Sequence, residues 1–453
     1  MEKLNLLKDN ERKIFFHYLI PSICSTLVNS IYILVDTLII GQGVGAEGIS
    51  ALNIFLPFFV IYNAIGLMFG LGGGILISVE EGMGNKEKSD KYFSASLISV
   101  VVVGIIFTLL SNIFLEEICI FLGANDYTID LVVKYGRCIS LFIPSFIATN
   151  FLSPIVRNKK SPKLAMMSVL IGAGLNIVLD YIFVFPMNMG MVGAALATVI
   201  GSLTTAIVLL THFIPKKNRI TVSLKGISFD MIKRIVSCGI STFLMEVTTG
   251  FVIFIFNIQI LKYIGDIGIV VFGIISNCAI VGTALFNGVA QASQPIIATN
   301  YGAKKDERVR KVLKYAMITT IIIGSVLFAV VFLFTEEVIH VFVKTTDEIM
   351  IMGIPAIRLY LSAFCIMNIN ILLCNYFQSV GREKSSIYIS AIRGFVLNII
   401  LVLGLPILFG GTSLWIVVPL TEMITFLGIM IYIKKSKIIN TEKNVQLKKL
   451  SIS

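Results

Sequence analysis

Long apolar runs alternate with short polar segments along the whole chain. Twelve of these runs reach roughly 20 residues, which is enough for a helix to cross a bilayer. Helices are predicted rather than strands, because lipid-facing backbone must be satisfied within a helix or a closed barrel and barrel strands are shorter than these runs. The predicted helices, in chain order, span residues 14–40, 50–79, 93–115, 132–156, 164–185, 191–214, 232–261, 267–298, 312–334, 354–378, 386–409 and 412–433.

The composition is that of a membrane protein. Hydrophobic residues make up 56% of the 453 positions. Charged residues make up only 14%, whereas soluble domains hold about 25%. We therefore predict an all-α integral membrane protein with twelve transmembrane helices.

The net charge of +11 is explained by loop position, without a nucleic-acid partner. Most of the 37 lysines and arginines fall in segments on one side of the predicted bundle, such as 304–314 and the residues from 434 onward. Because basic residues are enriched in cytoplasmic loops, these segments and both termini are predicted to be cytoplasmic.

An internal repeat indicates duplication. Residues 175–180 (Leu-Asn-Ile-Val-Leu-Asp) recur 222 positions later as 397–402 (Leu-Asn-Ile-Ile-Leu-Val). Two weaker echoes pair the segment from Gly84 with that from Gly302, and the segment from Arg157 with that from Gly381.

The repeat predicts two pseudo-symmetric lobes of six helices each. The first lobe is 1–215, the second is 232–453 with a cytoplasmic tail, and 216–231 is a cytoplasmic linker. Because six is an even number, both lobes enter the membrane from the same side, as parallel repeats do.

The first lobe holds ionisable residues inside apolar helices. Asp36 and Asp180 each lie a few residues before the predicted outer end of a helix, so that at about 1.5 Å per residue both are roughly 7–9 Å below the boundary. Asn176 is one turn deeper on the face of Asp180, and Thr198 of the next helix falls at a similar depth.

These four side chains predict a cation site. Hard cations prefer oxygen ligands, and neighbouring carboxylates also favour proton binding. The site is interpreted as a proton acceptor, a sodium site formed by Asp36, Asn176, Asp180 and Thr198, or both in competition. The alternative is two unrelated aspartates that each reach the outer interface.

At these residues the chain resembles the multidrug and toxic compound extrusion (MATE) family, in its prokaryotic branch with an aspartate in the first helix. The resemblance covers nearly all of the chain. It implies that Asp36, Asn176, Asp180 and Thr198 take part in cation coupling. It also implies that Pro21 is a hinge at which the first helix bends when the aspartate is protonated, whereas the sequence alone predicts an ordinary kink there.

The second half carries other ionisable residues within its helices. Glu246, Arg393 and Glu422 lie in the seventh, eleventh and twelfth predicted helices. Glu246 and Arg393 have comparable depth, so we expect them to pair, with Glu422 nearby. Glu246 resembles a glutamate that some family members need for transport. The tenth helix lacks the aspartate that other members place there, which argues against a second cation site.

These observations favour a secondary-active exporter of amphipathic or cationic compounds, in exchange for H⁺ or Na⁺, in the bacterial cytoplasmic membrane. Residues 43–48 fit the G-x-G-x-x-G pattern of dinucleotide sites, but they lie in a predicted external loop rather than between a strand and a helix. No Walker A, G-x-S-x-G or H-E-x-x-H motif is present, so we expect no cofactor and no enzymatic activity. The expected partners are drug-like small molecules and membrane lipid, with the protein a monomer. The main alternative is a lipid-linked oligosaccharide flippase of the same superfamily, and an uptake carrier for a small solute is a further one.

Overall fold

The structure is a computed structural model that describes residues 4–215, 218, 222, 226–343 and 346–435. Throughout this part of the chain it is helical, with short turns and no strand. The α-helices, in chain order, are α1 (Glu11–Gly43), α2 (Ala46–Gly82), α3 (Lys86–Ile113), α4 (Leu115–Phe121), α5 (Ile129–Leu141), α6 (Ile143–Asn158), α7 (Pro162–Val184), α8 (Gly190–Leu210), α9 (Phe229–Tyr263), α10 (Asp266–Gly302), α11 (Asp306–Leu333), α12 (Thr335–Phe342), α13 (Asp347–Leu361), α14 (Phe364–Ser379), α15 (Glu383–Ala391), α16 (Leu397–Phe409) and α17 (Val417–Lys435).

The predicted all-α membrane architecture is confirmed. Within the described residues, eleven helical segments are long and apolar enough to cross a bilayer. A twelfth is made by α5 and α6 together, which meet at a bend of 55°. The sequence missed the short helices α4 and α12, which follow α3 and α11 and are too short to span a membrane.

Backbone geometry repeats between the two halves. Gly45, before α2, has φ +92° and ψ −166°, and Gly265, before α10, has φ +93° and ψ −164°. Such a conformation is essentially restricted to glycine. The helix ends at Phe114 and Phe334 also match, each leading directly into a short helix. All these pairs are 220 residues apart, so the halves share one local fold.

The structure corrects the register of the two weaker echoes. Gly84, after α2, has a positive φ angle in the left-handed region. The residue after α10 with the same conformation is Lys304 rather than Gly302. The left-handed residue before α7 is Lys160, and this residue, not Arg157, matches Gly381 before α15. The sequence pairings were therefore wrong by two and three residues.

A π-helical turn, Ile392–Val396, separates α15 from α16. A π turn adds one residue to a helix. The offset between the halves accordingly rises from 221 at Gly381 to 222 at Asn398, the equivalent of Asn176. The strongest sequence echo thus lies after an insertion that the sequence pattern did not reveal.

Two large hydrophobic cores and one small one form within the described residues, and α1 and α9 each contribute to both large cores. The end of α1 near the basic loops (Ile14 and Phe15) packs in a core built mainly from the second half, whereas Ile40 near its other end packs in the core of the first half. Conversely, Ile235 of α9 lies in the first core and Phe256 in the second. The proposed domain boundaries 1–215, 216–231 and 232–453 stay a prediction, and much of 216–231 lies outside the described residues.

On the side that carries the basic loops, called the basic side below, the two halves are in backbone contact. A Cβ at Gly72 of α2 would clash with the carbonyl oxygen of Ile235, and one at Gly239 of α9 would clash with that of Met68. Glycine therefore permits a close approach of α2 and α9 that another residue would prevent.

A second close contact joins the ends of α2 and α10. A Cβ at Gly82 would clash with the carbonyl oxygen of Thr299, and one at Gly302 would clash with that of Val79. Because Gly82 and Gly302 are equivalent positions of the two repeats, the contact is itself pseudo-symmetric. These crossings close the space between the lobes at the basic side.

We predict that Gly239→Val opens this closure. Overpacking destabilises by typically 1–3 kcal/mol, so the equilibrium toward separated lobes should rise by about 5- to 150-fold. The neighbouring thiol of Cys238 is buried at 1% exposure. In a protein that retains Cys238 as its only cysteine, maleimide should label this thiol at least about five-fold faster in the variant. Gly250→Val on the same helix, where no heavy atom lies within 4 Å of the added Cβ, is the control. Equal labelling rates would contradict the prediction.

Candidate functional site

The two first-lobe carboxylates lie next to each other between α1 and α7. Asp36 of α1 is 8% exposed, and Asp180 of α7 is fully buried. Their carboxyl groups are close enough to interact electrostatically. The structure therefore brings together two residues that are 144 positions apart in the sequence.

Two neutral side chains complete this level of the lobe. The carboxamide of Asn176, one turn from Asp180 on α7, donates to the Thr198 hydroxyl of α8 at 3.4 Å. The Thr198 hydroxyl in turn donates to the carbonyl oxygen of Ala194 at 3.0 Å. Thr198 is thus oriented by its own helix, and Asn176 by Thr198.

Four oxygens of this cluster have no hydrogen-bond donor among the described residues. Among the described residues, neither Asp180 oxygen, nor Oδ1 of Asp36, nor the amide oxygen of Asn176 has a hydrogen-bond partner. Buried oxygens without donors are strongly unfavourable unless a proton or a cation neutralises them. Carboxylate, amide and hydroxyl oxygens together can bind H⁺ and can also act as ligands of a hard cation such as Na⁺.

Tyrosines near the carboxylates were missed in the sequence. Tyr32 of α1 and Tyr135 of α5 both lie within electrostatic reach of Asp36 and Asp180. Tyr32 is four residues before Asp36, so the helical spacing could have found it. No sequence spacing indicates that Tyr135 is near the site, because α5 is brought there by tertiary packing.

In α1, Pro21 lies within the helix, fifteen residues before Asp36. A proline removes one backbone hydrogen bond from a helix and weakens it locally. The hydroxyl of Ser25 donates to the Pro21 carbonyl oxygen at 2.8 Å. The helix therefore has a point of lower stiffness between its basic-side end and the carboxylate.

The second lobe holds an ion pair instead of a carboxylate pair. Arg393, in the π turn, contacts Glu422 of α17 through Nη2 at 2.7 Å and donates from Nε at 2.8 and 3.0 Å. Asn370 of α14 donates to the same carboxylate at 2.7 Å. The prediction that Arg393 pairs with Glu246 was wrong. Similar depth in the membrane does not determine the direction in which a helical side chain points.

The polar framework of the two sites is nevertheless duplicated. Asn398 accepts a hydrogen bond from Thr421 at 3.4 Å, so an asparagine and a threonine meet as Asn176 and Thr198 do, with donor and acceptor exchanged. The carboxylates have no counterpart. At the positions equivalent to Asp36 and Asp180 stand Phe256 and Val402, both buried in the second core. The duplication thus kept the amide–hydroxyl pair and differs at the acids.

Glu246 lies on the face of α9 that approaches α2. It lies seven residues, or two helical turns, beyond Gly239, and so shares the face of α9 that contacts α2 at Met68. It is half-buried, and in the described part of the chain it has neither an ion pair nor a hydrogen bond. A carboxylate is therefore positioned just beyond the closure at the basic side.

Comparison with known proteins gives consistent results. The model of the MatE family matches residues 21–182 and 238–403. The multidrug export protein MepA of Staphylococcus aureus (strain NCTC 8325 / PS 47) is 27% identical over 424 residues, which cover 93% of each chain. MepA of Staphylococcus saprophyticus is 25% identical and covers 89% of this chain and 87% of its own.

Solved structures share the fold. One described as the outward-facing conformation of a multidrug resistance MATE family transporter of the MOP superfamily has a TM-score of 0.89 at 23% identity. It covers 98% of this chain and 99% of its own. A MATE in the bent conformation gives a TM-score of 0.88 at 22% identity, with the same coverage. At this level of identity the likeness concerns the fold.

Proposed function

The chain belongs to the MatE family, and from this premise we propose that it is a secondary-active exporter of amphipathic or cationic compounds, driven by H⁺ or Na⁺. The family membership and the MepA relatives, which are named as multidrug export proteins, support the transport of varied small molecules. The protein acts as a transporter rather than as an enzyme, and as a monomer in the cytoplasmic membrane of a bacterium, with both termini in the cytoplasm.

The observation that carries the coupling proposal is the buried carboxylate pair, three of whose oxygens have no hydrogen-bond partner among the described residues. A cation can drive a conformational change only if its affinity differs between the two states. Buried acid oxygens without donors bind a proton or Na⁺ strongly in this packing of α1, α7 and α8, and less strongly once the helices separate and water reaches them. Entry of the cation at Asp36 and Asp180 therefore selects one arrangement of the lobes.

The drug is proposed to bind between the lobes, beyond the closure. Within the described residues Glu246 is an unpaired carboxylate on this face, and it attracts positively charged compounds while the surrounding apolar side chains accept their hydrophobic parts. The acids of the first lobe and Glu246 on α9 lie in different places. The cation and the drug can therefore bind at different positions.

The flippase alternative has less support. A carrier for a pyrophosphate-linked lipid needs a cationic cavity, and Arg393 is the arginine that lies deepest within a second-lobe helix. Its guanidinium is held by Glu422 at 2.7 Å, so the pair is close to neutral. This geometry argues against Arg393 as a pyrophosphate ligand.

The test is dye efflux with separate gradients. In vesicles that contain the purified protein, we expect ethidium transport to accelerate when a proton gradient or a sodium gradient is imposed, and the effective gradient identifies the coupling ion. Vesicles with a Glu246→Gln variant should keep the cation response but transport cationic dyes about ten-fold less efficiently than neutral ones, because one desolvated charge contact is lost. If neither gradient changes the transport of any compound in a broad dye panel, the multidrug proposal fails.

A further inference from the structure

The basic-side end of α1 is held by the second lobe. Leu6, before the helix begins, is 1% exposed and packs with Ile14 and Phe15 in the second core. The opposite end of the same helix carries Asp36 and Ile40, and Ile40 packs in the first core. One helix thus joins the cation site of one lobe to the body of the other.

The segment before α1, residues 4–10, is fastened by polar groups of α10 and α11. The Leu6 carbonyl oxygen accepts from Asn300 at 3.1 Å and from Arg308 at 3.2 Å. The Leu7 carbonyl oxygen accepts from Lys305, just before α11, at 2.9 Å. This segment is called the anchor segment below.

Arg308 is the centre of the attachment. Its guanidinium also contacts the Asp9 carbonyl oxygen, the Glu11 carboxylate at 3.3 Å and the amide oxygen of Asn300 at 3.1 Å. The forked geometry of arginine serves several acceptors in fixed directions, which a lysine cannot do. Arg308 is partly buried, with 16% of its side chain exposed, so these bonds are only weakly screened by water.

We propose that Arg308 and the anchor segment transmit cation binding from the first lobe to the second. The inference rests on the proposed coupling at Asp36. When a cation changes the packing of Asp36 against α7, α1 must bend or shift. Because its basic-side end is fixed to α10 and α11, the displacement acts on the second lobe, and Pro21 between the two attachments is the point at which the helix yields. Without the anchor, the end of α1 moves instead and the lobes do not respond.

The test separates attachment from folding and from dye transport. Spin labels at Tyr127 and Val341, which are 87% and 81% exposed near the outer ends of the first and second lobes, report the distance between the lobes in a protein without other reactive cysteines. We expect the distance distribution of the wild type to change with proton or sodium concentration. In Arg308→Ala the cation-dependent change in the population ratio should be about ten-fold smaller, with dye affinity unchanged.

Two further variants make the result interpretable. Arg308→Lys keeps the charge but loses the fork, so an intermediate response is expected, and it serves where Arg308→Ala does not fold. Lys314→Ala, exposed on the same helix, should respond as the wild type does. A full cation response in both Arg308 variants overturns the proposal, as does a wild type whose lobes respond to neither cation. If the wild type responds but exports no dye, the proposed function fails and the role of Arg308 stands.

Discussion

Asp36→Asn is expected to abolish gradient-driven export, with a loss on the order of 100-fold in the transport rate, the upper part of the range of site-to-site coupling. The amide keeps the shape of the carboxyl group, so α1 and α7 still pack. It cannot take up a proton and binds Na⁺ weakly, so the cation no longer distinguishes the two lobe arrangements. Vesicle efflux under the effective gradient measures the loss.

Stability should change in the opposite sense to transport. Asp36 and Asp180 are neighbouring buried acids with donor-free oxygens, so removing one charge relieves an unfavourable burial. The unfolding temperature of Asp36→Asn should be unchanged or higher, and Asp180→Asn should behave alike. Asp130→Asn is the matched control, because this carboxylate is 70% exposed and bound to Lys134. Wild-type efflux by Asp36→Asn under both gradients would exclude this site from coupling.

Arg393→Met is expected to lower the free energy of unfolding by about 3–5 kcal/mol, because it leaves a buried carboxylate without its partner. Glu422 is 3% exposed, and three contacts from Arg393 now neutralise it. The loss is measured by denaturant unfolding in detergent micelles. The expected loss of stability exceeds that caused by replacing an exposed basic residue, which changes the free energy of unfolding by less than about 0.5 kcal/mol.

The double variants identify the partner. Arg393→Met with Glu422→Gln removes both charges and keeps an acceptor for Asn370, so most of the lost stability should return. Arg393→Met with Glu246→Gln should remain as unstable as the single variant. Rescue by the Glu246 change in place of the Glu422 change would mean that the pairing seen in the structure is not the one that stabilises the protein.

The membrane architecture and the position of the acids were predictable, because both depend on one-dimensional signals. An apolar run of sufficient length specifies a span, and a carboxylate such as Asp36 or Asp180 interrupts it visibly. Depth along a helix also follows from residue count. This is why the sequence placed Asn176 and Thr198 at one level, where the structure indeed brings them together.

Direction around a helix was not predictable in the same way. In a run that is apolar on every side, no amphipathic stripe marks the face that meets a neighbour. Arg393 and Glu246 have similar depth but different orientations, and the π turn at Ile392–Val396 rotates the residues after it further. Tyr135, which lies within electrostatic reach of the acids, belongs to α5, and the sequence pattern predicted α5 and α6 as one helix although a bend of 55° separates them.

The shared use of α1 and α9 by both cores has a consequence for biogenesis. A translocon releases helices into lipid in chain order, and α1 precedes α10 by more than 200 residues. The polar residues Tyr18 and Ser22 of α1 are therefore exposed to lipid until α10 and α11, against which that end packs, have been synthesised. If the first half were made alone, its core would lack the end of α9 that carries Ile235, and the end of α1 that carries Ile14 would have no core to join. The second half made alone would have the converse defect. Two separately expressed halves should consequently be degraded singly and stabilised when they are made together.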